Sequence, residues 1–502
     1  MDSEEKVREL RLQLWGAAET LRGSAVDRTD WKGYILPLIF LKRICDVWDE
    51  EFQSARDLYG DSELFSFEEI HRFQVPVGYH WKDIRETNTD IGAKIQQSMQ
   101  EIERVNPNTL HRVFGLSDWS NRDKFTDELL GNLIEGFSHI SLGNNDVSTD
   151  MIGYAYEYLV GKFADVTRRK KAGEFYTPRS VVSMMIKLLN PIEGETIYDP
   201  TCGTGGMLLA AIEHAKKNGG DSRTFFGKIY GQEKNNTTAS IARMNLVLHG
   251  IEDFQIERGD TLLEPKFVNH KGGLATFDCV IANPPFSLKK WGREFWENDQ
   301  WGRASYGIPP DNYGDLAFVQ HMIASMSTKG TGRMAIVLPA GSLYRAASES
   351  KIRKMILEGD LVEAVIGLAE NLFYGTPLAG FIVIFRRKKH ANRINKVIFI
   401  DAQDLFRKGQ NQAFLDQSHI DYIIQLYENY QNVGNRCVVV SIDEILRNEG
   451  VLNIARYIQP MIGSENVLYS DAMETFTTSV DTIRIKKRIL NDELKNGGFF
   501  SE

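Results

Sequence analysis

From about residue 150 the chain alternates short apolar segments with helical ones, and this rhythm limits the folds open to it. The candidate strands are 196–198, 228–231, 254–258, 277–282, 334–338, 361–367, 381–385 and 397–400. Helical stretches lie between most of them, at 206–218, 237–248, 316–327 and 350–358. Strand followed by helix, repeated, predicts an α/β fold with a doubly wound, mostly parallel sheet covered on both faces. Only about ten residues separate the last two strands, too few for a crossover helix, which predicts an antiparallel edge.

The first 150 residues read differently. Val7, Leu10, Leu14, Ala17 and Leu21 recur at spacings of three and four, which puts them on one helix face over residues 4–23. Residues 31–59 are apolar on most sides as far as Ile44, so this helix should be buried, with Pro37 in its first turn or at a kink. Residues 92–140 again carry helical spacing. The expected domains are a helical region over 1–150, an α/β catalytic domain over 151–410 and a C-terminal region over 411–502. The last of these turns helical again and ends in a mixed-charge helix over 471–495 whose Ile483, Ile485 and Leu490 pack on a partner or on the chain's own core. At roughly 150 residues per domain, 502 residues suit this division.

No apolar run approaches the ~20 residues of a membrane span, and Met1-Asp2-Ser3-Glu4-Glu5 carries no apolar signal core. The four cysteines are scattered, which argues against a disulfide framework or a zinc knuckle and for a reducing, cytoplasmic compartment. The ten histidines form no metal-binding pattern, so no metal is expected. A net charge of −9 is unlike that of an autonomous DNA binder. Any nucleic-acid role must rest on local patches or on a partner.

Two constellations carry chemistry. Asp199-Pro200-Thr201-Cys202-Gly203-Thr204-Gly205-Gly206 follows a short strand and opens a helix. Glycines there let the backbone approach a ligand, and the helix start offers free N–H groups. A dinucleotide site would place its acid after the glycines. Here Asp199 precedes them, which suits a ligand with an ammonium group, such as S-adenosylmethionine. Glu233, ending the next strand, would accept from ribose hydroxyls, and Asp260 would bind the adenine amino group. The same glycines also suit a plain strand-to-helix turn.

The second constellation is Asn283-Pro284-Pro285-Phe286, at the end of an apolar strand. Two prolines stiffen the backbone and remove two donors. The Asn283 side-chain oxygen and the Pro284 carbonyl can then accept from one amino group, and Phe286 offers a flat face to a base. This suits a planar substrate with an exocyclic amine, held in line with a sulfonium methyl by position and fixed dipoles. A proline-stiffened turn is the plainer alternative.

The glycine loop and the Asn-Pro-Pro-Phe tetrapeptide, in this order, resemble those of S-adenosylmethionine-dependent amino-methyltransferases. Gly173-Glu174-Phe175-Tyr176-Thr177-Pro178, Leu38-Ile39-Phe40-Leu41-Lys42-Arg43 and Leu452-Asn453-Ile454-Ala455-Arg456-Tyr457 narrow the resemblance to the modification subunits of type I restriction-modification systems. The likeness runs through nearly the whole chain. It implies an adenine-N6 DNA methyltransferase with the seven-stranded class I fold. It also implies double-stranded DNA as substrate and assembly of two modification subunits with one specificity subunit, to which a restriction subunit can add. By the same resemblance Glu174, Phe175, Tyr176, Thr177 and Pro178 line the methionine end of the cofactor, beside Asp199, Pro200, Thr201, Gly203, Thr204, Gly205 and Gly206. The target adenine would have to be flipped out of the duplex, at a cost of a few kcal/mol. Stacking on Phe286 would offset ~1–3 kcal/mol of it.

Other features are open to two readings. The loop over 291–314, with Lys289, Lys290, Arg293 and Arg303 among tryptophans, either touches DNA or is a mobile surface loop. Arg168 to Lys171 and Arg386 to Lys389 meet phosphate or form solvated faces. Asp315 is expected to cap the helix that follows it. Two rival functions remain: an amino-methyltransferase acting on RNA or on a protein glutamine, and a scaffold that has lost catalysis.

Overall fold

Apolar residues at helical spacing build the N-terminal region. The computed structural model describes residues 3–60, 70–168, 177–219, 225, 227–373, 378–409, 412–458 and 469–496. The N-terminal region holds α1 (Ser3–Ala18), α2 (Lys32–Tyr59), α3 (Trp81–Arg85), α4 (Ile91–Val105), α5 (Asp127–Ser138) and α6 (Thr149–Arg168). Val7, Leu10, Leu14, Ala17 and Leu21 are all buried, as their spacing predicts. α2 is buried on every side from Gly33 to Cys45.

Pro37 sits in the second turn of α2, and the helix runs through it from Lys32 to Tyr59. Proline has no N–H to give the carbonyl of Gly33, four residues back. The hydroxyl of Ser117 donates to that carbonyl instead, at 2.6 Å. A neighbouring segment thus meets the acceptor that the proline leaves open. Arg43, also buried, ties α2 to the segment before α6 by donating to the carbonyls of Leu142 and Val147.

All eight expected strands form: β1 (Ile197–Asp199), β2 (Ile229–Glu233), β3 (Gln255–Arg258), β4 (Cys279–Ala282), β5 (Arg333–Pro339), β6 (Val362–Leu368), β7 (Gly380–Arg386) and β8 (Lys396–Ala402). A short pair, β9 (Arg407–Lys408) and β10 (Ala413–Phe414), lies outside the main sheet, and β11 (Cys437–Ser441) joins it. The order across the main sheet is β11-β8-β6-β7-β5-β4-β1-β2-β3. From β5 to β3 every pairing is parallel. α7 (Arg179–Leu189) precedes β1, and the helices between and after the strands are α8 (Gly206–Lys217), α9 (Asn236–Leu248), α10 (Arg293–Trp296), α11 (Asp315–Ala324), α12 (Ala340–Tyr344), α13 (Ser348–Glu358), α14 (Gln417–Asn429) and α15 (Ile442–Arg447). Two apolar cores, one on each face, cover the sheet.

The antiparallel strand is not where the short connection suggested. β7 pairs antiparallel with both β5 and β6, so it is an inner strand, and β8 lies parallel to β6 on the far side. The short link from β7 to β8, residues 387–395, therefore steps over β6 rather than forming a hairpin. The antiparallel edge is made by β11 on β8. The chain stays in this sheet past residue 410, since Ile420, Ile423 and Leu426 of α14 enter one core and Ile442 and Ile445 of α15 the other. In the same region Tyr457 stacks on Phe399 of β8, with ring centroids 4.4 Å apart.

Of the basic residues Arg386 to Lys389 at the end of β7, Lys388 alone is exposed. Arg386 pairs with the fully buried Glu363 at 2.9 Å, and Lys389 pairs with Asp360 at 2.5 Å. Arg168 ends α6, and the three basic residues after it lie outside the described residues.

α9 joins the N-terminal helices to the sheet, and it is buried from Ala239 to Leu248. Ala239, Ala242 and Leu246 pack into a core of the sheet. Ile241, Met244, Val247 and Leu248 pack into the core of the N-terminal helices. Residues 1–458 form one compact unit. Residues 459–502 form a second, whose described part is the helix α16 (Tyr469–Asn496).

Candidate active site

The strand order reverses between β1 and β4, where β2 lies to one side and β5 to the other. Open α/β sheets bind ligands at such a switch point, beyond the carboxyl ends of the strands. Ile197 pairs with Cys279 and Tyr198 with Val280 across β1 and β4. This register brings Asp199, at the end of β1, and Asn283, just after β4, to neighbouring positions at that end.

The glycine loop turns here because two of its residues adopt left-handed backbone, with Gly203 at φ +54 and Gly205 at φ +79. A side chain at either position would be strained. Gly205 serves as the N-cap of α8. Two cavities flank the loop, and Thr201, Gly203, Thr204 and Asn283 line both. The first, of about 310 Å³, adds Thr177, Arg179, Asp199, Gly206 and Glu157. The second, of about 270 Å³, adds Pro200, Glu233, Asp260, Pro285 and Phe318, among others.

Acids and bases both line the cavities: Glu157, Asp199 and Glu213 with Arg179, Lys187 and Lys217 in the first, Glu233 and Asp260 with Lys32 and Lys234 in the second. Asp199 is buried and accepts from the backbone N–H of Thr201 at 2.9 Å. Burial, together with the nearby negative charge of Glu233, pushes its carboxyl up to about 8 against the hydrogen bond from Thr201. Glu233 accepts from the N–H groups of Gly203 at 3.1 Å and Asn235 at 2.7 Å. Asp260 pairs with Lys234 at 2.8 Å and accepts from Leu262 N–H at 3.1 Å.

Asn283 is held in one orientation. Its Nδ2 donates to Thr177 Oγ1 at 2.8 Å, while its Oδ1 is buried with no hydrogen-bond partner. The Thr201 hydroxyl, by contrast, bonds to the Asp199 carboxyl. Buried acceptors are normally satisfied, so an orphaned oxygen on Asn283, a residue that lines both cavities, marks a place for a ligand. The backbone after the tetrapeptide is strained, with Ser287 at φ +51. Asp315 holds it there by accepting from Ser287 N–H at 2.7 Å.

Several expected residues are not among those lining the cavities, although Pro284 and Phe286 flank Asn283 and Pro285, which are. Pro284 is buried behind Asn283, and Pro178 is the N-cap of α7. Phe286 is half-buried, with its ring edge-on to Phe373 at 6.2 Å between centroids. Glu174, Phe175 and Tyr176 lie outside the described residues.

Two expectations are corrected. Asp315 does not cap α11, because Gly314 occupies the N-cap position. The Asp315 carboxylate instead bridges Ser287 and Arg345, the latter at 2.7 Å. Arg303 does not face outward. It is 2% exposed, pairs with Asp299 at 2.7 Å and donates to the carbonyls of Thr261 and Leu262. Its guanidinium lies over the rings of Trp296 and Trp301, and Trp296 Nε1 also donates to Leu262 O at 3.1 Å. The tryptophan segment is thus an ordered brace beneath the loop that carries Asp260. Lys289, Lys290 and Arg293 are exposed, as expected of groups free to meet DNA. Sequence reasoning missed Arg345, Lys32 and Leu36, since no motif marks them.

The chain matches two family descriptions: N-6 DNA Methylase over residues 147–466 and the HsdM N-terminal domain over residues 10–137. It is 32% identical over 416 residues to the MjaVII type I restriction enzyme methylase subunit of Methanocaldococcus jannaschii, covering 79% of this chain and 68% of the relative. It is 26% identical to the MpnII methylase subunit of Mycoplasma pneumoniae, covering 96% and 94%. Its structure resembles that of a type I restriction-modification methyltransferase subunit from Streptococcus thermophilus, with a TM-score of 0.76 and 29% identity, over 90% of this chain and 99% of the other. The chain belongs to the N-6 DNA methylase family, among the modification subunits of type I restriction-modification systems.

Proposed function

We propose that the two cavities form one site for S-adenosylmethionine and a flipped adenine, and that Asn283 performs the acceptor chemistry. The observation that carries this reading is the buried, unpartnered Asn283 Oδ1 on the wall shared by both cavities. The residues present fit the cofactor. Asp199 is a buried carboxyl with no ion-pair partner among the described residues, and the ligand's ammonium would supply one as it ionises. Glu233 and Asp260 line the second cavity, where they serve the ribose and adenine ends. When bound, S-adenosylmethionine supplies an electrophilic methyl on sulfonium sulfur.

The chain's own residues do the rest. Asn283 Oδ1 and the Pro284 carbonyl accept from the adenine amino group and draw its nitrogen toward a tetrahedral shape. The nitrogen lone pair is thereby freed, and the proton that the amine must then lose, held at Asn283 Oδ1, passes to solvent. Fixed dipoles of this kind cost no reorganisation at the moment of reaction. Phe286 stacks on the extruded base. Pro284 and Pro285 keep the loop stiff, and Thr177 fixes the Asn283 amide.

Sequence choice falls to a separate specificity subunit, because a chain at −9 holds a duplex poorly alone. We assign two copies of this chain to each specificity subunit, with a restriction subunit able to add, in the cytoplasm. No helix among the described residues is long and apolar enough to cross a membrane. The helical region over 1–150 and the catalytic region from 151 onward work as one compact unit, and the segment beyond it, with α16, serves partner contacts.

The test is single-molecule sequencing of genomic DNA from cells carrying the intact chain or Asn283→Ala. Loss of N6-methyladenine from one split, two-part motif in the variant is the expected result. An unchanged methylome with both proteins expressed would refute the assignment.

A further inference from the structure

The second cavity is not closed by the α/β part alone. Lys32 and Leu36 of α2, and Val160 and Ala164 of α6, line it together with Glu233 and Asp260. Lys32 and Leu36 are one helical turn apart and so share a face. Leu36 is fully buried, whereas Lys32 is half-buried.

α2 is seated closely here. A Cβ on Gly33, between these two residues, would lie 3.3 Å from Thr237 Cγ2 of α9 and 3.2 Å from Ser117 Oγ. Asn235 and Thr238, at the start of α9, line the same cavity. Further along α9, Ile241, Met244, Val247 and Leu248 share the core of the N-terminal helices. The helical wall and the sheet-borne acids are therefore fixed to each other through α9. The slot between them has apolar sides in Leu36, Val160 and Phe318 and acids in Glu233 and Asp260. A flat base with a hydroxylated sugar matches that arrangement: apolar faces for the ring, acceptors for the hydroxyls and the amine.

We infer that α2 of the N-terminal region supplies one wall of the adenosine slot, with Leu36 packed against the nucleoside and Lys32 covering its rim. The inference rests on the cofactor reading above and goes beyond it: the cofactor site is incomplete without the N-terminal helices.

Calorimetric titration of the full chain with S-adenosylmethionine, and separately with S-adenosylhomocysteine, tests it. The variants are Leu36→Ala, Lys32→Ala and Leu38→Ala. Leu38 is equally buried in α2 but does not line the cavity, so its truncation controls for loss of packing. The expected result is a Kd raised about tenfold for Leu36→Ala, for both ligands alike, because the contact is to the shared adenosine. Lys32→Ala should raise Kd about threefold, and this half-buried position carries the test if Leu36→Ala does not fold. Leu38→Ala should lower the melting temperature yet leave Kd unchanged. Wild-type affinity in both Leu36→Ala and Lys32→Ala would overturn the inference while leaving the cofactor reading intact. So would equal losses in Leu36→Ala and Leu38→Ala. Failure of the wild-type chain to bind either ligand would overturn both.

Discussion

The side chains of Thr177 and Asn283 meet across 106 residues of sequence: Asn283 Nδ2 donates to Thr177 Oγ1 at 2.8 Å. With Nδ2 engaged, Oδ1 is presented without a partner, which is what an acceptor for an amino group requires. Thr177→Val keeps the shape and removes the hydroxyl. The amide can then rotate, and kcat for DNA methylation should fall about 10²-fold, the scale of a misplaced catalytic group. Cofactor affinity should change far less. Single-turnover methylation with labelled cofactor, beside a binding titration, checks the split; an equal loss in both would assign Thr177 to cofactor binding alone.

Asp315 sets the loop behind the tetrapeptide. It joins Ser287 N–H to Arg345, which also pairs with Glu349 at 2.5 Å. Asp315→Ala removes a buried partner from both, and it should destabilise the protein by about 2–4 kcal/mol. A double-mutant cycle with Arg345→Ala in urea denaturation should show coupling of about 1 kcal/mol or more. Strictly additive losses would contradict the bridge.

Cofactor binding should depend on pH through Asp199. Its carboxyl is raised from 3.8 to about 8 by burial first and by Glu233 second, against the Thr201 hydrogen bond. Below about pH 8 the unliganded protein therefore holds a proton there. A cationic ligand favours the ionised form, so binding releases that proton, and affinity should rise from pH 6 to about 8 and then level. The stability sign is the reverse of the usual carboxylate case. The folded state binds more protons than the unfolded between about pH 4 and 8, so the unliganded fold loses stability as pH rises through that window. Titrations in buffers of different ionisation heat measure the released proton, and Asp199→Asn should abolish it.

Arg303 and the exposed lysines of the same region should respond oppositely. Arg303→Ala leaves Asp299 unpaired in a buried site and should cost about 3–5 kcal/mol of stability. It should not alter the salt dependence of DNA binding by the assembled complex. Lys289→Ala and Lys290→Ala should leave stability within about 0.5 kcal/mol and each reduce the salt slope by about one. Filter binding over a salt series, with thermal melts, separates the two roles.

Much of this protein was legible in the residues themselves. Periodicity placed the N-terminal helices and all eight strands of the alternating region, because local geometry repeats with the chain. The glycine loop and the Asn-Pro-Pro-Phe turn were legible because each must be built from particular residue types in unbroken succession. Asp199 and Asn283 could both be proposed for one site on that ground. What hid from the sequence was every role that depends on a partner distant in the chain. Arg303 read as a loop cation and Asp315 as a helix cap, because their carbonyl, amide and guanidinium partners lie far away in the chain.

The sequence by itself determined the kinds of elements, the chemistry of the two motifs and the family to which they belong. These follow from local backbone preference and contiguous residue identity. Only the tertiary structure decided that β7 lies inside the sheet, that the tryptophan segment braces the Asp260 loop, that Thr177 orients Asn283 and that α2 reaches the cavity. Each is a contact between residues far apart in sequence. Burial and shape select such contacts among whole packed arrangements, and no short window of sequence carries that information.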